Sequence, residues 1–112
     1  MGGDAVLTRM RTWRGRKLAV RQLDVLALAV QARGWRCVKL YGREFPRPLL
    51  WVYASGVVED VGVVVDVRAS SGVAFAYHDV RTGELLVRCG DARAAAARVD
   101  LVLKGRLYPS TW

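Results

Sequence analysis

Between Val61 and Cys89, apolar and polar positions alternate with a period of two, interrupted twice by short polar runs that end in glycine. Val61, Val63, Val65 and Val67 alternate with Gly62, Val64, Asp66 and Arg68. After Ser70-Ser71-Gly72, Val73, Phe75 and Tyr77 alternate with Ala74, Ala76 and His78; after Arg81-Thr82-Gly83, Leu85, Val87 and Cys89 alternate with Leu86 and Arg88. This is the period of half-buried strands. A three-residue connection ending in glycine suits a type I turn closed by a left-handed residue. The two turns fix a register. Ala69 faces Val73, Val67 faces Phe75 and Val65 faces Tyr77; Val80 faces Glu84, Tyr77 faces Val87 and Phe75 faces Cys89. The large apolar residues then share one side, which a slip of one residue would scatter. The predicted core is Val63, Val65, Val67, Phe75, Tyr77, Leu85 and Val87.

Helical spacing flanks this meander. From Leu18 to Arg33 the main apolar stripe is Ala19, Leu23, Leu26, Ala27 and Val30, with Gly34 as the stop. Leu18, Val25, Leu28 and Ala29 fall outside that stripe, so the helix is apolar on nearly all sides and calls for a second covered surface. Leu18, Val25 and Leu28 are accordingly the candidate interface, with a homodimer the simplest expectation. At the other end Asp91 caps a helix from Ala92 to Lys104, closed by Gly105. Its buried stripe is Ala92, Ala95, Ala96, Val99, Val102 and Leu103, with Arg93, Arg98, Asp100 and Lys104 in water, and Tyr108 and Trp112 packing back from a short tail. Trp35–Tyr41 and Leu49–Ala54 read as two further strands, joined by a loop with Pro46 and Pro48. Trp51 and Tyr53 share one face of the second strand and Leu50 and Val52 the other; alternation alone does not assign the core side. The order helix, five strands, helix predicts an α+β two-layer sandwich, a five-stranded antiparallel sheet with both helices on one face.

Composition bounds the chain without adding chemistry. At 112 residues it forms one domain over residues 18–112, preceded by a basic arm over residues 1–17 in which Asp4 caps a short first turn through Met10. A chain this long buries roughly two-thirds of its unfolded surface. No window offers the ~20 uncharged apolar residues of a membrane span, and the start Met1-Gly2-Gly3-Asp4 lacks the order of a signal peptide, so a cytoplasmic location is expected. Cys37 and Cys89 lie far from any CxxC spacing and read as buried thiols. The charge is more informative: residues 1–47 hold eleven Lys/Arg against three Asp/Glu, and the remainder is balanced, so the whole net charge of +8 lies in the first part of the chain. Arg9, Arg11, Arg14, Arg16, Lys17 and Arg21 surround Trp13, a mixture suited to phosphate pairing and base stacking. Arg33, Arg36, Lys39, Arg43 and Arg47 continue it. These residues are the candidate nucleic-acid contacts.

Catalytic signals are weak. His78 is the only histidine and falls on the wetter face, away from Cys89, so a Cys–His dyad is not expected. One histidine and two distant cysteines do not make a zinc site. Asp60, Asp66 and Arg68 are similar to the acidic strands of some metal-dependent nucleases, yet no lysine lies between Lys39 and Lys104, and a solvated, charged sheet face is the expectation. No phosphate-loop or dinucleotide glycine pattern occurs, so neither cofactor nor small-molecule substrate is expected.

Ala32-Arg33-Gly34-Trp35 running into a strand, the proline loop before Leu49-Leu50-Trp51-Val52, the aromatic hairpin at Val73–Leu86 and the run Asp91-Ala92-Arg93-Ala94-Ala95-Ala96-Ala97-Arg98-Val99 resemble a group of small actinobacterial proteins, often encoded beside helix-turn-helix regulators. The likeness spans residues 18–106 and implies a regulatory or accessory setting, without assigning functional residues. The chain is therefore expected to be a non-enzymatic accessory protein acting through protein–protein contact. Its alternative is direct nucleic-acid binding through the basic arm, which a salt-dependent DNA titration would reveal.

Overall fold

A computed structural model describes the backbone of residues 2–54, 62–70 and 73–107, and the side chains of residues 15–54, 62–69 and 75–107. Its elements are α1 (Gly2–Gln31), β1 (Arg36–Leu40), β2 (Leu49–Tyr53), β3 (Gly62–Ser70), β4 (Val73–Asp79), β5 (Leu85–Arg88) and α2 (Ala92–Leu107). The strands form one antiparallel sheet in the order β1-β2-β3-β4-β5. Both helices lie on one side of it, giving the expected α+β architecture.

Helix α1 is longer than the apolar stripe alone predicts. Its 30 residues are about 45 Å of helix, and the segment expected as an arm continues its backbone, with no proline between Gly2 and Leu18 to interrupt it. Its predicted stripe of Ala19, Leu23, Leu26, Ala27 and Val30 is buried throughout. The C-terminus closes as Gly34 implies: at φ +92° it donates to the Gln31 carbonyl at 3.0 Å, while the Trp35 amide reaches back to Val30 at 3.1 Å. These are the paired bonds of a Schellman cap.

The face of the sheet toward the helices carries Leu50 and Val52 from β2, Val63, Val65 and Val67 from β3, and Tyr77 from β4, all in one buried cluster with the helix stripes. Phe75, Val87, Cys37 and Cys89 are half-buried at its margin. Two register details depart from the sequence reading. Val67 pairs with Tyr77 and Val65 with Asp79, two residues from the expected register. β3 runs on to Ser70, which meets Val73, and an irregularity between Arg68 and Ser70 absorbs the difference. Gly72 of the first turn lies outside the described residues. In the second turn Gly83 has φ +75° and Tyr77 faces Val87, both as expected. A bulge opposite Tyr77 and His78 then exchanges two leucines: Leu86 is buried, and the predicted core residue Leu85 is 40% exposed.

Helix α2 starts on its predicted cap, with Asp91 Oδ1 accepting the Ala94 amide at 3.0 Å. It passes through Gly105 to Leu107, so Gly105 is an interior residue and not the stop; Tyr108 and Trp112 lie outside the described residues. Asp100, expected in water, is buried. Its carboxylate accepts from Trp35 Nε1 at 2.8 Å and pairs with Lys104 at 2.9 Å and Arg33 at 3.7 Å, tying the α1–β1 corner to α2. Burial alone would raise its pKa, but the hydrogen bonds from Lys104 and Trp35 and the charges of Lys104 and Arg33 together hold it below the ordinary value of 3.8. A carboxyl depressed by folding contributes stability above its unfolded pKa, and this is lost as pH falls through the folded value. Asp100→Asn is therefore expected to flatten the fall in melting temperature below about pH 4. Parallel acid melting curves for the two proteins would reject the assignment.

Candidate functional site

The face of the sheet away from the helices is the candidate site, and alternation settles its membership once Leu50 and Val52 are buried. Rung by rung it carries Arg36, Tyr53 and Gly62; then Val38, Trp51 and Val64; then Leu40 and Leu49; then Asp66, His78 and Leu85; and last Arg68, Ala76 and Arg88. No helix covers it among the described residues. Val38, Leu40, Leu49, Trp51, Tyr53 and Val64 are all partly exposed, a contiguous apolar centre.

Trp51 leans along its strand to Tyr53, ring centroids 4.8 Å apart at an interplanar angle of 34°. Its indole lies across Gly62, where a Cβ would fall 2.5 Å from Nε1. Only glycine lets the indole rest on the backbone, so the sequence Gly62 opposite Tyr53 is what lays Trp51 down as a platform.

Four arginines edge this apolar centre. Arg36 stands beside Tyr53, and Arg68 and Arg88 flank Ala76. Arg47 reaches over from the proline loop to Asp66 at 3.6 Å, and Arg68 Nε donates to the same carboxylate at 3.1 Å. The side chain of Asp66 is only 4% exposed. The face is thus not the solvated charged surface predicted: its carboxylate is sunk beneath two guanidinium groups, and what meets water is apolar and cationic. His78 is also buried, its Nδ1–H donating to the Ala76 carbonyl at 3.1 Å. Cys89 packs with the core on the opposite face. Burial pushes the Cys89 thiol up to about 11 and raises Cys37 as well, although both residues are half-buried and not fully enclosed. Among the described residues no group of three His, Cys, Asp or Glu is gathered for a metal ion.

The sequence-predicted nucleic-acid residues divide. Arg9, Arg11, Trp13 and Arg14 lie in the first half of α1, with side chains outside the described residues. Arg16 holds the proline loop: its guanidinium donates to the carbonyls of Tyr41 at 2.5 Å, Gly42 at 3.2 Å and Phe45 at 3.5 Å. Lys17 and Arg21 are exposed on α1. In the proposed continuation, Arg33 pairs with Asp100 and Lys39 with Asp24, while Arg36 and Arg43 are exposed. Through its carbonyl contacts Arg16 is tied to the loop that carries Arg43 and Arg47. Of the interface residues, Leu28 is 71% and Val25 44% exposed, and Leu18 is partly buried. Trp51, Tyr53 and Arg88 were not singled out by sequence as a site, and Arg68 was weighed only with Asp60 and Asp66 as a nuclease-like group; Gly62 was the available signal, a glycine in a strand otherwise rich in valine. Compared with known proteins, the chain matches no family model, no curated protein and no solved structure.

Proposed function

We propose that the protein is a non-enzymatic accessory module that docks an acidic protein partner on the open face of its sheet. The observation that carries the reading is Trp51 laid across Gly62 beside Tyr53, at the centre of a partly exposed apolar field edged by arginines. Protein interfaces have an apolar centre and a polar rim, and Trp, Tyr and Arg supply most of their binding energy. The aliphatic neighbours Val38, Leu40 and Val64 favour a protein over a nucleic-acid strand, which asks for aromatic rings interleaved with cations. Charge selects the kind of protein. Among the described residues, Arg36, Arg47, Arg68 and Arg88 are opposed on this face by Asp66 alone, already bound by two of them. A second copy packed face to face would bring arginines together without carboxylates to receive them, whereas an acidic surface meets all four.

A photo-reactive phenylalanine analogue at position 53 tests this in cells making the protein. The expected adduct resists nuclease, is degraded by protease, exceeds the mass of two chains or falls clearly below it, and vanishes when Arg36, Arg68 and Arg88 are changed to Glu. A probe at the exposed helix residue Leu101 gives no such adduct. Nuclease-sensitive adducts would transfer the face to nucleic acid, adducts of two identical chains would make it a homodimer interface, and no adduct would remove the docking reading. With the partner in hand, Trp51→Ala is expected to weaken binding by about 30-fold or more, the loss of a central aromatic anchor; a titration showing less than about threefold would reject Trp51 as that anchor.

A further inference from the structure

A second recess lies where α1, the proline loop and the ends of β3 and β4 meet. It is a cavity of about 210 Å³ walled by Ala19, Pro46, Pro48, Val67, Ala69 and Phe75, with Arg16, Arg47 and Arg68 around it. Its floor is firm: Ala19, Pro48 and Val67 are buried, and Phe75 is partly buried against the core. The loop that forms one wall is fastened to α1 by the three carbonyl contacts of Arg16. The cavity is therefore a standing feature of the fold, apolar within and cationic at its edge.

We infer that this cavity binds a small aromatic carboxylate, with the ring against Phe75 and the prolines and the carboxylate at Arg47 and Arg68. Size and charge set the class. A dry apolar cavity of about 150 Å³ accommodates benzene, so this larger recess accepts a ring carrying a short acid chain. Arg47 and Arg68 bring two positive charges to the single carboxylate of Asp66. Arg68 uses Nε for that contact, and the Arg47 side chain is 59% exposed; a guanidinium edge matches a ligand carboxylate in two parallel bonds. The two guanidinium groups thus carry one charge more than Asp66 neutralises, at the mouth of an apolar chamber. This inference stands apart from the docking reading at its apolar centre, because the chamber is lined by neither Trp51 nor Tyr53, although Arg47 and Arg68 edge both sites.

The test is a titration of the full chain with 3-phenylpropanoate, followed by amide chemical shifts, with 3-phenylpropanol as its neutral counterpart. Shifts are expected to saturate at Ala19, Val67, Ala69 and Phe75, with the alcohol binding at least tenfold more weakly. Arg47→Gln, at an exposed side chain, is expected to weaken the acid at least tenfold and leave the alcohol unchanged. Ala69→Trp, at an exposed position beside the cavity, fills it and abolishes both, while Trp51→Ala changes neither. No saturable shift at millimolar acid, equal affinity for acid and alcohol, or shifts centred on Trp51 and Tyr53 would each overturn the assignment. A cavity that fails this test leaves the photo-adduct at position 53 unaffected, so the two readings fall separately.

Discussion

Arg106→Met is expected to lower the unfolding free energy by about 3 kcal/mol, the cost of leaving a buried carboxylate without its cation. Arg106 comes from the last turn of α2 and reaches the start of β3 and the end of β4, donating to Asp79 Oδ2 at 2.6 Å and to the Gly62 carbonyl at 2.7 Å. The Asp79 side chain is 2% exposed and that of Arg106 23%. This separates the pair from the surface pairs Lys39–Asp24 and Arg98–Glu84, whose partners are all more than 40% exposed and are worth about 0–1 kcal/mol each. After the substitution the Asp79 carboxylate retains, among the described residues, only the Arg81 amide, at 2.9 Å from Oδ1. In a domain of this size the melting midpoint should fall by roughly 12 °C or more. Adding Asp79→Asn to Arg106→Met removes the stranded charge and should recover at least half of the loss. A single-variant cost below about 1 kcal/mol would mean that water reaches Asp79 and that the pair behaves as a surface pair.

That ion pair also marks the limit of reading this chain from its sequence. Asp79 and Arg106 are 27 positions apart, as Asp66 and Arg47 are distant, and no local pattern announces that a strand carboxylate will be buried beneath a cation from elsewhere. Asp66 and Asp100 were expected in water for the same reason. Features governed by local geometry were legible. Gly34, Gly83 and Asp91 closed or opened their elements where their backbone chemistry required, and the α1 stripe was buried residue for residue. Register was half legible. A slip of two residues, unlike a slip of one, leaves every side chain on its original face, so the apolar pattern cannot distinguish Val67 opposite Phe75 from Val67 opposite Tyr77. Leu85 and Leu86 changed places because a bulge breaks alternation locally while preserving composition. The candidate site was hidden by a related ambiguity: Leu49-Leu50-Trp51-Val52-Tyr53 is apolar on both faces, and only pairing with β3, where Val63 and Gly62 alternate, shows which face the helices take.

Tyr77→Ala is expected to have the largest effect on the fold itself, about 3–5 kcal/mol, the range for truncating a large buried ring. Tyr77 is fully buried on β4, paired with Val67 on one side and Val87 on the other. Its ring is the largest wholly enclosed side chain among the described residues, and its hydroxyl donates to the Gln22 carbonyl of α1 at 2.7 Å. Burial raises the phenol above its ordinary range, so it remains a donor through neutral pH. Tyr77→Phe separates the two contributions. It keeps the ring and removes one hydrogen bond, so about 1 kcal/mol should be lost, leaving most of the alanine cost to the cavity and the lost apolar contact. Urea unfolding of both variants measures the division. A phenylalanine variant as unstable as the alanine variant would make the bond to Gln22, and not the ring, the link that holds α1 to the sheet.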